Sequence, residues 1–185
     1  MNPRRAALLA LGPLLALLVL SPTAGAGPAE GQLLQAPNVI AISEHLVTAG
    51  QPTPSALATL SEQHFRAVIN LAPPTVASAV ANEPELVRGQ GIEYVSIPIA
   101  WTQPTDAHVQ AFFAAMQRFK DRKVLVHCQV NMRASALGFL YQVIVEGQNP
   151  ATAYEVLSRV WTPDGPWRSL LESQLRQAKI PFALP

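Results

Sequence analysis

Short apolar runs alternate with amphipathic stretches through the middle of the chain. The runs "RAVINLA", "EYVSIPIA" and "KVLVHC" have strand length, and Pro98 indicates that the second strand ends there or lies at an edge. "KVLVHC" is apolar on both faces, which is typical of a parallel strand covered by helices. Between the second and third runs, "TDAHVQAFFAAMQRF" predicts an amphipathic helix whose apolar side is formed by Val109, Phe112, Phe113, Met116 and Phe119.

The two ends of this region complete the pattern. "NVIAISEHLVTAGQPT" contains two β-like runs that stop at Gly50 and Pro52, and Thr53 with Pro54 predicts a helix start. Helices are predicted over "RASALGFLYQVIVEG", "NPATAYEVLSRVW" and "GPWRSLLESQLRQA". The pattern therefore predicts one α/β domain over residues 37–185. It would have three layers, with a short, mostly parallel central sheet flanked by helices.

The first 26 residues have the three parts of a secretory signal peptide. Arg4 and Arg5 precede an apolar run from Ala6 to Leu20, and small residues end at Ala26. This pattern predicts cleavage after Ala26 and a periplasmic or secreted protein, with residues 27–36 as a linker. An uncleaved membrane anchor is the alternative, but the apolar run is short for a membrane span. No membrane contact is expected after cleavage.

Composition narrows the possible partners. The net charge is +1, and no block of basic residues points to nucleic acid. His45, His64 and His108 lack metal-ligand spacing, so neither a metal site nor a cofactor is predicted. The oligomeric state is not predicted. Cys128 is the only cysteine and has no disulfide partner within the chain, so it is either a small buried hydrophobe or a reactive thiol.

The position of Cys128 favours chemistry with an anion. Ligands of such sheets bind at the carboxyl ends of strands, and Cys128 lies at that end of its strand. The backbone N–H groups of a tight strand-to-helix loop and the dipole of the next helix attract an anion and stabilise a thiolate. Arg133 could bind two oxygens of a tetrahedral oxyanion. The residues predicted to bind substrate are Gln129, Val130, Asn131, Met132 and Arg133.

A thiolate below a bound phosphate ester could attack the phosphorus in line with the leaving group. A cysteinyl-phosphate would form, and water would regenerate the thiolate. His127 immediately precedes the cysteine and is predicted to support the loop, although a purely structural histidine is equally consistent with the sequence.

Five segments in this order resemble the beta-lactamase-hydrolase-like phosphatases, a branch of the cysteine-dependent protein tyrosine and dual-specificity phosphatases. They are "TAGQPT", "FRAVINL", "GIEYVSIPI", "PTDAHVQAF" and "VLVHCQVNMRAS", and the resemblance extends from about Asn38 to Trp167. It implies the phosphatase fold, with Cys128 as nucleophile and Arg133 as phosphate ligand. Gln51 and Pro52 could border the site, Trp101 could flank it, and Trp161 and Trp167 are assigned to helix packing.

The chain departs from the usual phosphatase loop at several positions. Four residues separate cysteine from arginine instead of five, a spacing that the beta-lactamase-hydrolase-like branch shares. Asn131 replaces a loop glycine, and asparagine tolerates the left-handed conformation that such a position requires. Ala134 stands where a hydroxyl would contact the sulfur, and Ser135, one position later, is predicted to support the loop.

The resemblance also implies a general acid on the loop "IAWTQPTD". Ala100 occupies the expected position, and Asp106 is the only carboxylate in the segment, so Asp106 is the candidate acid. A helical role is the alternative, because an aspartate that follows an N-cap threonine stabilises the helix dipole.

The predicted function is that of an exported phosphatase that acts on a phosphate monoester of a protein or a small molecule. Two alternatives remain open. A rhodanese-like sulfurtransferase also presents a cysteine in a strand-to-helix anion loop, and four residues before the final basic position is its usual spacing. An inactive module that binds phosphorylated ligands would explain the missing aspartate.

Overall fold

The computed structural model describes residues 34–185. The predicted signal peptide and residues 27–33 of the predicted linker lie outside the described residues. The domain begins before the predicted boundary at residue 37, because Leu34 is buried in an apolar cluster and the carbonyl of Gln35 accepts a hydrogen bond from the Thr53 N–H.

A five-stranded sheet forms the centre of the domain, in the order β1-β2-β5-β3-β4. The strands are β1 Ile40–Ala41, β2 Leu46–Ala49, β3 Ala67–Asn70, β4 Glu93–Ser96 and β5 Val124–His127. β1 is antiparallel to β2, and every other pair is parallel. β4 is an edge strand and ends at Ser96, two residues before Pro98, which confirms what Pro98 predicted.

Within residues 34–185, six α-helices flank the sheet. They are α1 Pro54–Leu57, α2 Glu83–Arg88, α3 Asp106–Arg118, α4 Met132–Leu140, α5 Pro150–Ser158 and α6 Gly165–Gln177. One apolar cluster contains residues of α1 and α2, and another contains residues of α3, α4, α5 and α6. Alternate residues of β5 belong to different clusters, so the two groups of helices cover opposite faces of the sheet. The three-layer α/β architecture predicted from the sequence is confirmed.

Short sequence signals account for where most of the helices begin and end. In α3 the predicted apolar side is buried at Val109, Phe112 and Met116, and the backbone N–H of Thr105 donates to His108 Nδ1 at 3.1 Å. The long helix predicted from Arg133 ends its α-helical part at Leu140 and continues as a π-helical turn over Tyr141–Val145. The chain then turns at Gly147, whose φ of +69° favours glycine.

The register of the sheet fixes where its functional edge lies. His127 at the end of β5 is paired with Ala49 of β2 and with Asn70 of β3, so three strand ends lie side by side. Cys128 comes immediately after this row, and its N–H donates to the carbonyl of Ala49 at 3.2 Å. The lone cysteine is thereby placed at the carboxyl end of the central strand, flanked by a strand on each side.

Within residues 34–185, no helix is both long enough and apolar enough to span a membrane. The same residues contain no group of three or more histidine, cysteine or acidic side chains arranged to hold a metal ion.

Candidate active site

The cysteine loop comprises residues 128–133 and leads from β5 into α4. α4 begins at Met132, one residue earlier than predicted. Asn131, at its N-cap, has φ 72° and therefore adopts the left-handed conformation predicted for it. Its amide Nδ2 donates to the carbonyl of Asn38 and, at 3.2 Å, to Thr48 Oγ1. Asparagine thus supplies the turn that a glycine would allow and also ties the loop to the N-terminal part of the domain.

Further contacts hold the loop from the side of β2. The backbone N–H of Gln51 donates to the carbonyl of Gln129 at 3.1 Å, and Asn38 Nδ2 donates to the carbonyl of Val130 at 3.0 Å. Gly50 must lack a side chain here, because a Cβ would lie 2.9 Å from the carbonyl oxygen of Gln129 and 2.8 Å from Pro37 Cβ. The "TAGQPT" segment therefore forms one wall of the loop.

Cys128 has no solvent-exposed surface and belongs to the apolar cluster on the α3–α6 side of the sheet. Burial alone fits both interpretations of this cysteine, because small apolar side chains and the thiols of deep sites are both shielded from water. The groups around Cys128 must therefore distinguish a small buried hydrophobe from a reactive thiol.

Arg133 is the most informative neighbour. The residue is only 5% exposed, its Nε donates to the carbonyl of Ile99 at 3.0 Å, and its guanidinium carbon lies 5.3 Å from the Trp101 ring centroid. Within residues 34–185 it forms no salt bridge, and its two terminal nitrogens donate no hydrogen bond. Buried charges in proteins are normally paired, so this fixed cation is suited to an anionic ligand.

Three tryptophans support the loop and the arginine. The ring centroid of Trp101 lies 5.3 Å from that of Trp161 and 5.6 Å from that of Trp167. Trp161 Nε1 donates to the carbonyl of Met132 at 3.1 Å, and Trp167 Nε1 donates to the carbonyl of Trp101 at 2.9 Å. The assignment of Trp161 to helix packing alone was therefore incomplete, because its indole N–H also holds the cysteine loop.

On the other side of the sheet, His127 takes part in a buried polar network. Its Nε2 lies 2.6 Å from Glu83 Oε1, and Gln51 Nε2 donates to Glu83 Oε2 at 2.8 Å. Asn70 Nδ2 reaches both carboxylate oxygens at 3.4 Å and Tyr94 Oη at 3.2 Å. The network connects the ends of β2, β3 and β5 with α2 and β4.

The network sets the protonation of Glu83 and Tyr94. Burial acts to raise the pKa of Glu83, but the hydrogen bond and charge of His127 and the hydrogen bond from Gln51 lower this pKa overall, so the carboxyl is ionised. Burial and the charge of Glu83 raise the pKa of Tyr94 to about 12. Glu83 was not predicted from the sequence, because an acidic residue in a first helical turn normally only favours the helix dipole.

A cavity of about 170 Å³ adjoins this network. Its polar lining includes Gln51, Asn70, Glu83, Tyr94 and Ser96, and prolines and small apolar residues from the β3–α2 connection form the remainder. The cavity therefore opens beside the carboxyl ends of β3 and β4.

The other predicted site residues have separate surroundings. Asp106 is exposed at the start of α3, and its Oδ2 accepts a hydrogen bond from Gln177 Nε2 at 3.0 Å. Ser135 is buried, and its Oγ donates to the carbonyl of Met132 at 3.2 Å, which ties it to the loop backbone. Val130 is 43% exposed, and Gln129 and Met132 are half-buried on the same loop.

Comparison with known proteins identifies the family of the chain. The model of the family described as "DSP-PTPase phosphatase fused to NAD+ Kinase" matches residues 39–167. The beta-lactamase hydrolase-like protein of Xylella fastidiosa (strain Temecula1 / ATCC 700964) is 32% identical over 109 residues, which is 57% of this chain and 25% of that protein. The chain thus spans about a quarter of the length of this curated relative.

Solved structures show the same fold. A DUF442 protein of Shewanella putrefaciens CN-32 is 34% identical, with a TM-score of 0.71 over 77% of this chain and 94% of its own. P. aeruginosa TpbA, as a cysteine-to-serine variant in complex with phosphotyrosine, is 16% identical, with a TM-score of 0.55 over 74% of this chain and 90% of its own. At 16% identity the likeness shows the fold alone.

The mostly parallel sheet, with a cysteine loop at the end of its central strand, is the α/β fold of the protein tyrosine and dual-specificity phosphatases. The chain belongs to the DSP-PTPase family whose model spans residues 39–167, and it is related to the beta-lactamase hydrolase-like proteins. The resemblance identified from the sequence is confirmed.

Proposed function

We propose that this protein is an exported, cysteine-dependent phosphoric monoester hydrolase in which Cys128 is the nucleophile and Arg133 binds the phosphate. The observation that carries the proposal is the buried guanidinium of Arg133, which has no anionic partner within residues 34–185. A phosphate dianion bound there would supply the missing charge. The phosphatase fold supports the same reaction class.

The proposed reaction has two steps. Oxygens of the phosphate bind the two terminal nitrogens of Arg133 and the N–H groups of the cysteine loop. The Cys128 thiolate attacks phosphorus, the P–O bond to the alcohol breaks, and the departing oxygen takes up a proton. Water then attacks the cysteinyl-phosphate, the S–P bond breaks, and inorganic phosphate leaves the regenerated thiolate.

Substitution of Cys128 tests this reaction directly. Cys128→Ser should reduce the hydrolysis of 4-nitrophenyl phosphate by about a thousandfold or more, because a serine hydroxyl at neutral pH is a far weaker nucleophile than a thiolate. Binding of inorganic phosphate, measured by calorimetry, should persist because Arg133 and the loop remain. Ser158→Ala is the control, because Ser158 is exposed on α5 and its Oγ donates to the carbonyl of Glu155, away from the cysteine loop.

Undiminished turnover by Cys128→Ser would contradict the proposal. Phosphate binding without hydrolysis in the unmodified protein would instead favour the inactive binding module, which the complete burial of Cys128 also fits. Transfer of sulfur from thiosulfate to cyanide, without hydrolysis of the aryl phosphate, would support the sulfurtransferase.

Asp106 remains our proposal for the general acid. Asp106 is the only carboxylate within residues 99–106, and it is exposed to solvent. The first residue of this segment, Ile99, accepts the hydrogen bond of Arg133 through its carbonyl. The hydrogen bond of Asp106 to Gln177 gives it a structural role as well. Protonation of the leaving oxygen should matter most for alcohols that are poor leaving groups.

Asp106→Asn should therefore slow the hydrolysis of phenyl phosphate by about a hundredfold, and that of 4-nitrophenyl phosphate much less. Asp121→Asn is the matched control, because Asp121 is an exposed carboxylate just before the amino end of β5, on the opposite edge of the sheet. Equal losses for both esters, or no loss at all, would exclude Asp106 as the acid.

The substrate is proposed to be a phosphorylated protein or small molecule. The phosphotyrosine complex of the structural neighbour TpbA is consistent with a phosphorylated ligand.

Export is proposed on the basis of the first 26 residues alone. Expression of the full chain in a Gram-negative host should yield, in the periplasmic or medium fraction, a protein whose intact mass corresponds to a chain that starts at Gly27. The uncleaved chain recovered with the membrane fraction would support the anchor instead.

A further inference from the structure

Asn38, close to the start of the described domain, contacts the cysteine loop through both its side chain and its backbone. Its Nδ2 donates to the carbonyl of Val130 at 3.0 Å, and its own carbonyl accepts a hydrogen bond from Asn131 Nδ2. The partners lie 92 and 93 positions apart in the chain. Each asparagine thus donates its side-chain amide to the backbone of the opposite segment, and the link between the two segments is reciprocal.

Both asparagines have a left-handed backbone conformation. The angle φ is 49° at Asn38 and 72° at Asn131. Within residues 34–185, the other non-glycine residues with positive φ are His64 and Lys179, and neither belongs to the cysteine loop. Residues in this sparsely populated region persist where the surrounding contacts over-determine them. The hydrogen bond between the two asparagines joins one such turn to the other.

The turn at Asn131 determines where α4 begins. Asn131 is completely buried at the N-cap, and Met132 and Arg133 follow as the first two helical residues. Because a peptide unit is planar, a hydrogen bond to the carbonyl of Val130 also orients the peptide group that leads into Asn131. The contact with Asn38 therefore acts on the direction in which α4, with the backbone of Arg133, leaves the loop.

The amide of Asn38 is the one group that holds this peptide from outside the loop. Within residues 34–185, the carbonyl of Val130 accepts no other hydrogen bond. The segment that carries Asn38 is itself anchored to the end of β2, because the Gly50 N–H donates to the carbonyl of Pro37 at 2.7 Å. Asn38 thus transmits a fixed position to the middle of the cysteine loop.

We propose that Asn38 is a positioning residue that holds the cysteine loop in its anion-binding conformation before an anion arrives. The inference rests on the proposed function, in which this loop and Arg133 bind the phosphate. Without the amide, the loop samples further conformations, and the affinity for phosphate falls in proportion to the population that can bind. Saturating substrate still selects the competent conformation, so kcat changes little.

Asn38→Gly tests the amide without straining the backbone. Glycine adopts positive φ readily, the main-chain carbonyl that Asn131 contacts remains, and Asn38 is exposed, so no core contact is lost. The dissociation constant of inorganic phosphate, measured by calorimetry, should rise by about fivefold, the worth of one net hydrogen bond. KM for 4-nitrophenyl phosphate should rise by a similar factor, with kcat nearly unchanged.

His64→Gly is the matched control. His64 is an exposed non-glycine residue with φ 65°, and it precedes the amino end of β3, on the opposite edge of the sheet from the loop. Its phosphate affinity should equal that of the unmodified protein. Unchanged affinity in Asn38→Gly, or an equal loss in both variants, would overturn the proposal. A fall in kcat at unchanged affinity would do the same.

A second variant removes the other half of the link. Asn131→Gly keeps the left-handed turn and loses the amide that Asn38 accepts. It should also weaken phosphate binding, and undiminished affinity would contradict a link that acts from both ends.

A crystal structure of Asn38→Gly without any anion tests the inference independently of turnover and of phosphate binding. We expect the peptide group between Val130 and Asn131 to be displaced or to occupy more than one orientation. The same loop, with the φ of Asn131 unchanged, would overturn the inference. An unmodified protein that neither binds nor hydrolyses phosphate would instead contradict the proposed function, so the two failures are distinguishable.

Discussion

The burial of an arginine without an anionic partner is the constraint on which the rest of the site depends. Taking a guanidinium out of water is costly, and removing one member of a buried ion pair typically destabilises a protein by about 3–5 kcal/mol. In the described domain, Arg133 donates one hydrogen bond to the carbonyl of Ile99, and its guanidinium lies over the face of the Trp101 ring. We propose that a bound oxyanion supplies the missing charge, since the two terminal nitrogens donate no hydrogen bond within residues 34–185. The cysteine loop, the tryptophans and the sheet edge are best understood as the support of this cation.

That support comes from parts of the chain that are far apart in sequence. Asn38 and Gly50 approach the loop from the β1–β2 side, Trp161 holds it from the α5–α6 connection, and Glu83 reaches the residue before the cysteine from α2. The contacts of Glu83 and Trp161 are buried or partly buried, and such hydrogen bonds are costly to break. A loop held from three sides keeps its conformation before any ligand arrives, which lowers the cost of binding.

The sequence predicted the local features of this site and missed its long-range contacts. The spacing of apolar residues identified the strands and α3. The position between a strand and a helix indicated Cys128 and Arg133 as site residues, and the tolerance of asparagine for positive φ explained Asn131. Glu83 was missed because it lies 44 residues before His127 and looks like an ordinary residue of a first helical turn. The link between Asn38 and Val130 spans 92 residues, and nothing in either local pattern reveals it. Asp106 lies outside the contacts that define the loop, and its catalytic role stays a prediction.

The central claim is that Arg133 and the cysteine loop form an oxyanion site directly above the Cys128 sulfur. The most direct measurement is a crystal structure of the protein with orthovanadate, an analogue of the transition state of phosphoryl transfer. The account predicts vanadium bonded to Cys128 Sγ, with two of its oxygens bound by the terminal nitrogens of Arg133. Vanadate bound away from the sulfur, or absent while Arg133 pairs with a protein carboxylate, would contradict it.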